Sequence, residues 1–178
     1  MSRLLPLSGR ARCFGDDVGT DAILSPARRR ATPDPVQLRR YLFESDRPTF
    51  AASVREGDIL VAGRRFGDGP ITELTVTAIL CAGIRAIVAQ SFSRIYLRNA
   101  LNNGLLAVSA ATDGIAEGDP IALTEARGRE GIELRTPARV IACDPLPPFA
   151  RSLLEAGGLV PYLRLHGSFG PALPGERL

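Results

Sequence analysis

The chain has 178 residues, 45% of them hydrophobic and 23% charged, which is enough for one buried core and excludes disordered, collagen-like and coiled-coil classes. Its 22 basic and 19 acidic residues leave a net charge of only +3, spread along the sequence, so nucleic acid is not an expected partner. Cys13, Cys81 and Cys143 are too far apart for a C-x-x-C motif and odd in number for disulfides, which points to a reducing, cytoplasmic setting.

Residues 8–14 alternate polar and apolar and predict an edge strand feeding a turn-rich loop, GDDVGTD at 15–21. Residues 22–32 show no clean period. A helix is expected after Pro33, with Asp34 as N-cap, Pro35 in the first helical position, and Val36, Leu38, Tyr41 and Leu42 on its apolar face. Residues 57–63, apolar between glycines, predict a strand buried on both faces. Residues 71–82 are rich in β-branched side chains, yet the parallel strand expected at 86–90 requires a crossover, so a helix is expected there, stopped by Gly83. A further helix is predicted at 91–103, with Ser91 as cap and Gly104 as terminator, and a third strand at 105–110.

Period-two segments at 114–143, broken by Gly118, Gly128 and Gly131, predict hairpins. A short helix follows Pro147 and Pro148 and ends at Gly157 and Gly158. The expectation is a single α/β domain at 1–167, with a parallel βαβ core and C-terminal hairpins, and a flexible tail at 168–178. No stretch approaches the ~18 apolar residues of a membrane span, and the N-terminus lacks a signal-peptide core.

Four groups of residues invite chemistry. Gly67, Asp68 and Gly69 before a helix start offer amides to an anion, although turn geometry alone explains such glycines and Pro70 removes one amide. Thr20 and Asp21 fit a loop cap as readily as a ligand contact. Arg28, Arg29 and Arg30 read either as a solvated surface or as a clamp for di- and tricarboxylates. His166, alone in a polar C-terminal loop, reads as surface.

The order of these segments resembles the small subunits of the 3-isopropylmalate dehydratases, the swivel domain of the aconitase superfamily. The residues that carry the resemblance are 9–24, 43–69, 83–106, with SFSRIYLRNALNNGL as the most specific run, and 145–163. The resemblance implies a swivelling β/β/α domain that forms a heterodimer or heterotetramer with a separate large subunit. That partner would carry a four-iron four-sulfur cluster, with no metal or cofactor bound in this chain, and no membrane partner. The implied activity is hydro-lyase chemistry, in which the small subunit takes a proton from carbon.

The departures bear on the substrate. The resemblance implies Gly-Ser-Ser-Arg-Glu from Gly69, with the first serine as base and the second serine and the arginine on substrate carboxylate. This chain has Gly69, Pro70, Ile71, Thr72 and Glu73. Pro70 has no proton to exchange and Ile71 no donor, so Thr72 and Glu73 become the candidate catalytic groups, with Thr75 or the large subunit as other sources of a base. In the segment that tunes substrate choice, two arginines within Arg28, Arg29, Arg30 and Thr32 replace Tyr-Leu, which disfavours an isopropyl group. The reading is a hydro-lyase small subunit for a hydroxy di- or tricarboxylate other than 3-isopropylmalate. The alternative is a non-catalytic subunit that docks on and stabilises a large one.

Overall fold

A computed structural model describes residues 4–70, 73–127 and 131–167. Seven strands form one mixed sheet in the order β4-β3-β2-β1-β5-β6-β7. β1 (Leu7–Cys13), β2 (Ile59–Ala62), β3 (Ala86–Ala89) and β4 (Leu106–Ser109) run parallel. β5 (Pro120–Glu125) pairs antiparallel with β1, and β6 (Ile132–Arg135) and β7 (Val140–Ala142) extend that half. The parallel core and the C-terminal hairpins expected from the sequence are thus present, and the turn between β5 and β6 includes residues outside the described ones.

The parallel strands bury both faces because successive side chains point to opposite sides. Leu60, Ala62, Ile87, Ala89 and Ala107 face one core with the helices. Ile59, Val61, Ala86, Val88 and Val108 face a second core, shared with Ile121, Leu123, Leu134 and Ile141 of the antiparallel half. The sheet therefore curls its antiparallel half over the second face of its parallel half.

β1 is not an edge strand. It lies in the middle of the sheet, between β2 and β5, with Ala11 opposite Ile59 and Gly9 opposite Ile121. Its polar face, Arg10 and Arg12, meets buried carboxylate instead of water: Asp58 accepts from Arg10 Nη2 at 2.8 Å and Arg12 Nη1 at 3.0 Å.

Residues 22–32, without a legible period, form parts of two short helices, α1 (Thr20–Ile23) and α2 (Pro26–Ala31). Asp34 caps α3 (Pro35–Leu38) as expected, its Oδ1 accepting from Val36 N at 2.9 Å, and a 3-10 turn at Arg39–Tyr41 continues it. α4 (Phe50–Ser53) precedes β2. The described part of the 71–82 helix is α5 (Glu73–Cys81), so the need for a crossover outweighs β propensity.

α6 (Arg94–Asn102) begins three residues later than its sequence limits suggest. Ser93 occupies the N-cap position, and Ser91 instead accepts the Arg65 amide on its hydroxyl at 2.9 Å. α7 (Pro148–Ala156) ends on left-handed Gly157, and α8 (Leu159–His166) follows at once. His166 thus sits in the last turn of a helix, not in a loop, with its ring centroid 4.4 Å from that of Tyr162. The expected tail at 168–178 lies outside the described residues.

Tyr96 of α6 is fully buried against Phe66, ring centroids 5.3 Å apart, and among the described residues its hydroxyl has no hydrogen-bond partner. Burial pushes its phenol pKa far up. An orphaned buried donor costs about 1–3 kcal/mol, so Tyr96→Phe is expected to raise the thermal midpoint. A lower midpoint would show that the hydroxyl is satisfied.

Candidate functional site

In α/β sheets the loops after the carboxyl ends of parallel strands converge, and ligand groups gather there. Here β1, β2 and β3 end at Cys13, Ala62 and Ala89, and the loops beyond them are bonded to each other. Gly63 N donates to Gly15 O at 3.1 Å, Asp17 N to Arg64 O at 2.8 Å, Gly67 N to Val18 O at 2.8 Å and Thr20 N to Asp68 O at 2.8 Å. The third loop joins through Phe66 N to Ser91 O and Ser93 N to Phe66 O.

This junction places the candidate residues. Thr20 is buried, and its hydroxyl donates to Pro70 O at 2.9 Å, which ties the start of α1 to the loop before α5. Asp21 is exposed and pairs with Arg29, whose side chain is 9% exposed and also donates to Pro70 O at 3.4 Å. Asp68 and Gly69 are exposed, and Asp68 Oδ1 accepts from the Gly69 amide at 3.0 Å, so that amide is occupied by the chain itself. Gly67 is buried at φ +82 with Tyr96 packed against its Cα.

The arginine triplet divides. Arg28 is held by Glu44 through contacts of 3.0, 3.2 and 3.1 Å and lies 3.8 Å over the Tyr41 ring centroid. That pairing, with a smaller opposing effect of burial, lowers the Glu44 pKa. Arg29 is committed to Asp21 and Pro70. Arg30 is exposed and has no ion-pair partner among the described residues, so it is the member of the triplet that can meet a ligand. The Thr32 hydroxyl accepts from Asp34 N at 3.1 Å and so belongs to the α3 start.

Thr72 lies outside the described residues. Glu73 is exposed as the first residue of α5, while Thr75 is fully buried, which removes it from contact with a substrate. Burial first, then Glu117 and Asp119, push the thiol of Cys13, at the end of β1, up to about 11, which disfavours its thiolate.

Asp17 and Arg65 also belong to this junction, although no local sequence pattern marks them as site residues. Both are non-glycine residues in left-handed conformation, at φ 59 and 58, and they form a two-pronged ion pair across the first two loops. Such backbone strain persists only where its surroundings fix it. The nearest signal is the DD and RR pairs in loops flanked by glycine.

Residues 44–113 match the family model of the aconitase C-terminal domain. The chain is 43% identical over 159 residues to the 3-isopropylmalate dehydratase small subunit of Moorella thermoacetica, covering 88% of this chain and 94% of that one. It is 41% identical over 158 residues to the methanogen homoaconitase small subunit of Methanocaldococcus jannaschii, covering 89% and 91%. The crystal structure of a 3-isopropylmalate dehydratase from the same organism superposes with a TM-score of 0.83 at 39% identity, covering 92% and 96%.

Proposed function

The chain belongs to the aconitase-superfamily small subunits, the family of the 3-isopropylmalate dehydratase and homoaconitase small subunits, and we propose that it completes a two-subunit cytoplasmic hydro-lyase acting on a hydroxy di- or tricarboxylate other than 3-isopropylmalate. The observation that carries the substrate reading is exposed Arg30, which has no ion-pair partner among the described residues and stands where the resemblance implies an apolar side chain, while the arrangement around Pro70 bears on the base. The backbone of the expected base position is present and fixed by Thr20 and Arg29, while its side chain is a proline.

A Lewis-acidic iron–sulfur cluster, when bound, would polarise the hydroxyl that leaves. We assign it to the large subunit. Cys13 ends β1, Cys81 ends α5 and Cys143 follows β7, and no group of three His, Cys, Asp or Glu side chains able to hold a metal occurs among the described residues.

This chain's own part is to bind, orient and take a proton. Arg30 offers a guanidinium with five donors to a carboxylate at the α2 side of the junction. Glu73, exposed three residues beyond Pro70, is the candidate acceptor for the proton leaving carbon, with Thr72 as the other candidate. Closure over the large subunit would exclude water from both. An extra cation in place of apolar contacts favours a more anionic substrate.

The test is anaerobic co-expression with large subunits from the same genome, purification on this chain, an iron assay, and turnover of hydroxy di- and tricarboxylates including 3-isopropylmalate. A brown complex that hydrates or dehydrates one of them, and prefers it to 3-isopropylmalate, is expected. A complex inert on the whole panel would sink the reading. If Pro70→Ser, Ile71→Ser and Thr72→Arg together then confer isopropylmalate activity on it, the subunit is a non-catalytic descendant of an active one.

A further inference from the structure

A groove of about 400 Å³ runs between the start of α5 and the outer face of α6, lined by Glu73, Ile95, Arg98, Asn99 and Asn102. The α6 residues are three and four apart and form one stripe of that helix. Glu73 stands no more than about 11 Å of chain from Pro70, so the groove opens beside the loop junction described above.

Like Arg30, the stripe offers a cation that no ion pair holds among the described residues. Arg12, Arg28 and Arg29 are all tied to carboxylates. Arg98 is exposed, and neither it nor the half-buried Asn102 amide has a partner among the described residues. Asn99 is fixed in place, its Oδ1 accepting from Asn103 Nδ2 at 3.0 Å. Ile95 is 64% exposed, a large apolar side chain on the same stripe as the Arg98 guanidinium. A guanidinium, an amide and an aliphatic wall in one groove match a molecule with a carboxylate on a short carbon chain. The Glu73 carboxylate repels a second anion, so the carboxylate end must lie toward Arg98 and Asn102, with the carbon chain between it and Glu73.

We propose that this groove is the subsite for the non-reacting carboxylate of the hydroxy acid, with Arg98 as its cation, Asn102 as its second donor and Ile95 against its carbon chain. The assignment rests on the hydro-lyase reading above, and it supplies from α6 the cation that Thr72 cannot supply.

The test uses the full chain, with its large subunit wherever the two co-purify. Arg98→Gln is expected to raise KM about tenfold or more with kcat nearly unchanged, because a remote carboxylate is held equally in ground and transition states. Arg98→Lys recovers only part of the loss, since an ammonium cannot pair bidentately. Calorimetric titration with citrate and malate as probes reads the same groove without turnover. Wild type is expected to bind at least one of them, and Arg98→Gln and Asn102→Ala to weaken it about tenfold.

Equal KM and equal probe binding in wild type and Arg98→Gln would overturn the proposal, as would failure of wild type to bind either probe. Loss of co-purification in Arg98→Gln without weaker probe binding would also overturn it and assign the groove to subunit docking. A wild type that turns over nothing yet binds a probe through Arg98 leaves the groove standing and removes the hydro-lyase reading alone.

Discussion

Asp58→Asn is expected to destabilise the fold by about 3–5 kcal/mol, the usual cost of breaking a buried ion pair from one side. The Asp58 side chain is 2% exposed. It accepts from Arg10 Nε at 3.0 Å and Nη2 at 2.8 Å, from Arg12 Nη1 at 3.0 Å and from the Arg55 amide at 3.0 Å. Arg12, itself 7% exposed in its side chain, also donates to Glu117 at 2.8 Å and to the Ser53 hydroxyl at 2.8 Å, and lies over the Phe50 ring. Asparagine keeps one acceptor oxygen, turns an NH₂ toward the guanidiniums and leaves their charge uncompensated. Urea denaturation measures the loss, with Asp17→Asn as the control. The Asp17–Arg65 pair is solvent-exposed, so its removal is expected to leave the midpoint unchanged. If the two variants behaved alike, β1 would not depend on its polar face.

The same network sets the acid limit of the fold. Burial by itself would raise the Asp58 and Glu117 carboxyls. The arginines and the Arg55 and Cys13 amides outweigh it and hold both below their ordinary values of 3.8 and 4.5. A carboxyl lowered in the folded state gives stability that is present above its unfolded pKa and lost as pH falls through the folded one. Stability is therefore expected to be level above about pH 5 and to fall below about pH 4. The fall should be shallower in Asp58→Asn.

The history of β1 shows what the sequence could and could not disclose. Its alternation revealed a polar face, but the Asp58 and Glu117 that cover that face lie 46 and 105 residues from Arg12. A period-two pattern cannot distinguish a solvated edge from a central strand with a neutralised face. The doubly apolar runs of β2 and β3 were legible because they carry their own evidence, and so were Asp34 and Gly157, whose capping roles are local. α1 and α2 were not, since helices of four and six residues are too short to show a period. α8 was hidden because Gly157 and Gly158 read as an end, although Gly158 also begins the next helix.

The candidate site was legible as segments and not as an assembly. GDDVGTD and RRFGDG are both conspicuous, yet nothing local announces that Thr20 N meets Asp68 O or that the Thr20 hydroxyl meets Pro70 O. The arginine triplet looked uniform, and only packing separates Arg28 on Glu44 and Arg29 on Asp21 from exposed Arg30.

Within that assembly Gly67 is a position where a single methyl group should do great harm. Gly67 has φ +82, and a Cβ there would stand 2.2 Å from Tyr96 Cγ and 2.6 Å from its Cβ and Cδ2. Left-handed backbone alone costs an alanine about 1–2 kcal/mol. Gly114 isolates that cost, since it has φ +78 with nothing within 4 Å of its would-be Cβ. Gly67→Ala adds a clash with a fully buried ring whose Cβ and Cγ cannot rotate away, and overpacking of that kind costs about 1–3 kcal/mol more. Relief by moving the loop instead of Tyr96 would break the Gly67–Val18 and Thr20–Asp68 hydrogen bonds and release Pro70 from Thr20. Gly67→Ala is therefore expected to melt well below Gly114→Ala. Its Gly67 and Thr20 amides should exchange faster while those of β3 keep their protection. Equal melting of the two variants would mean that Tyr96 does not press on Gly67, and the two loops would then be held by their mutual hydrogen bonds without help from that ring.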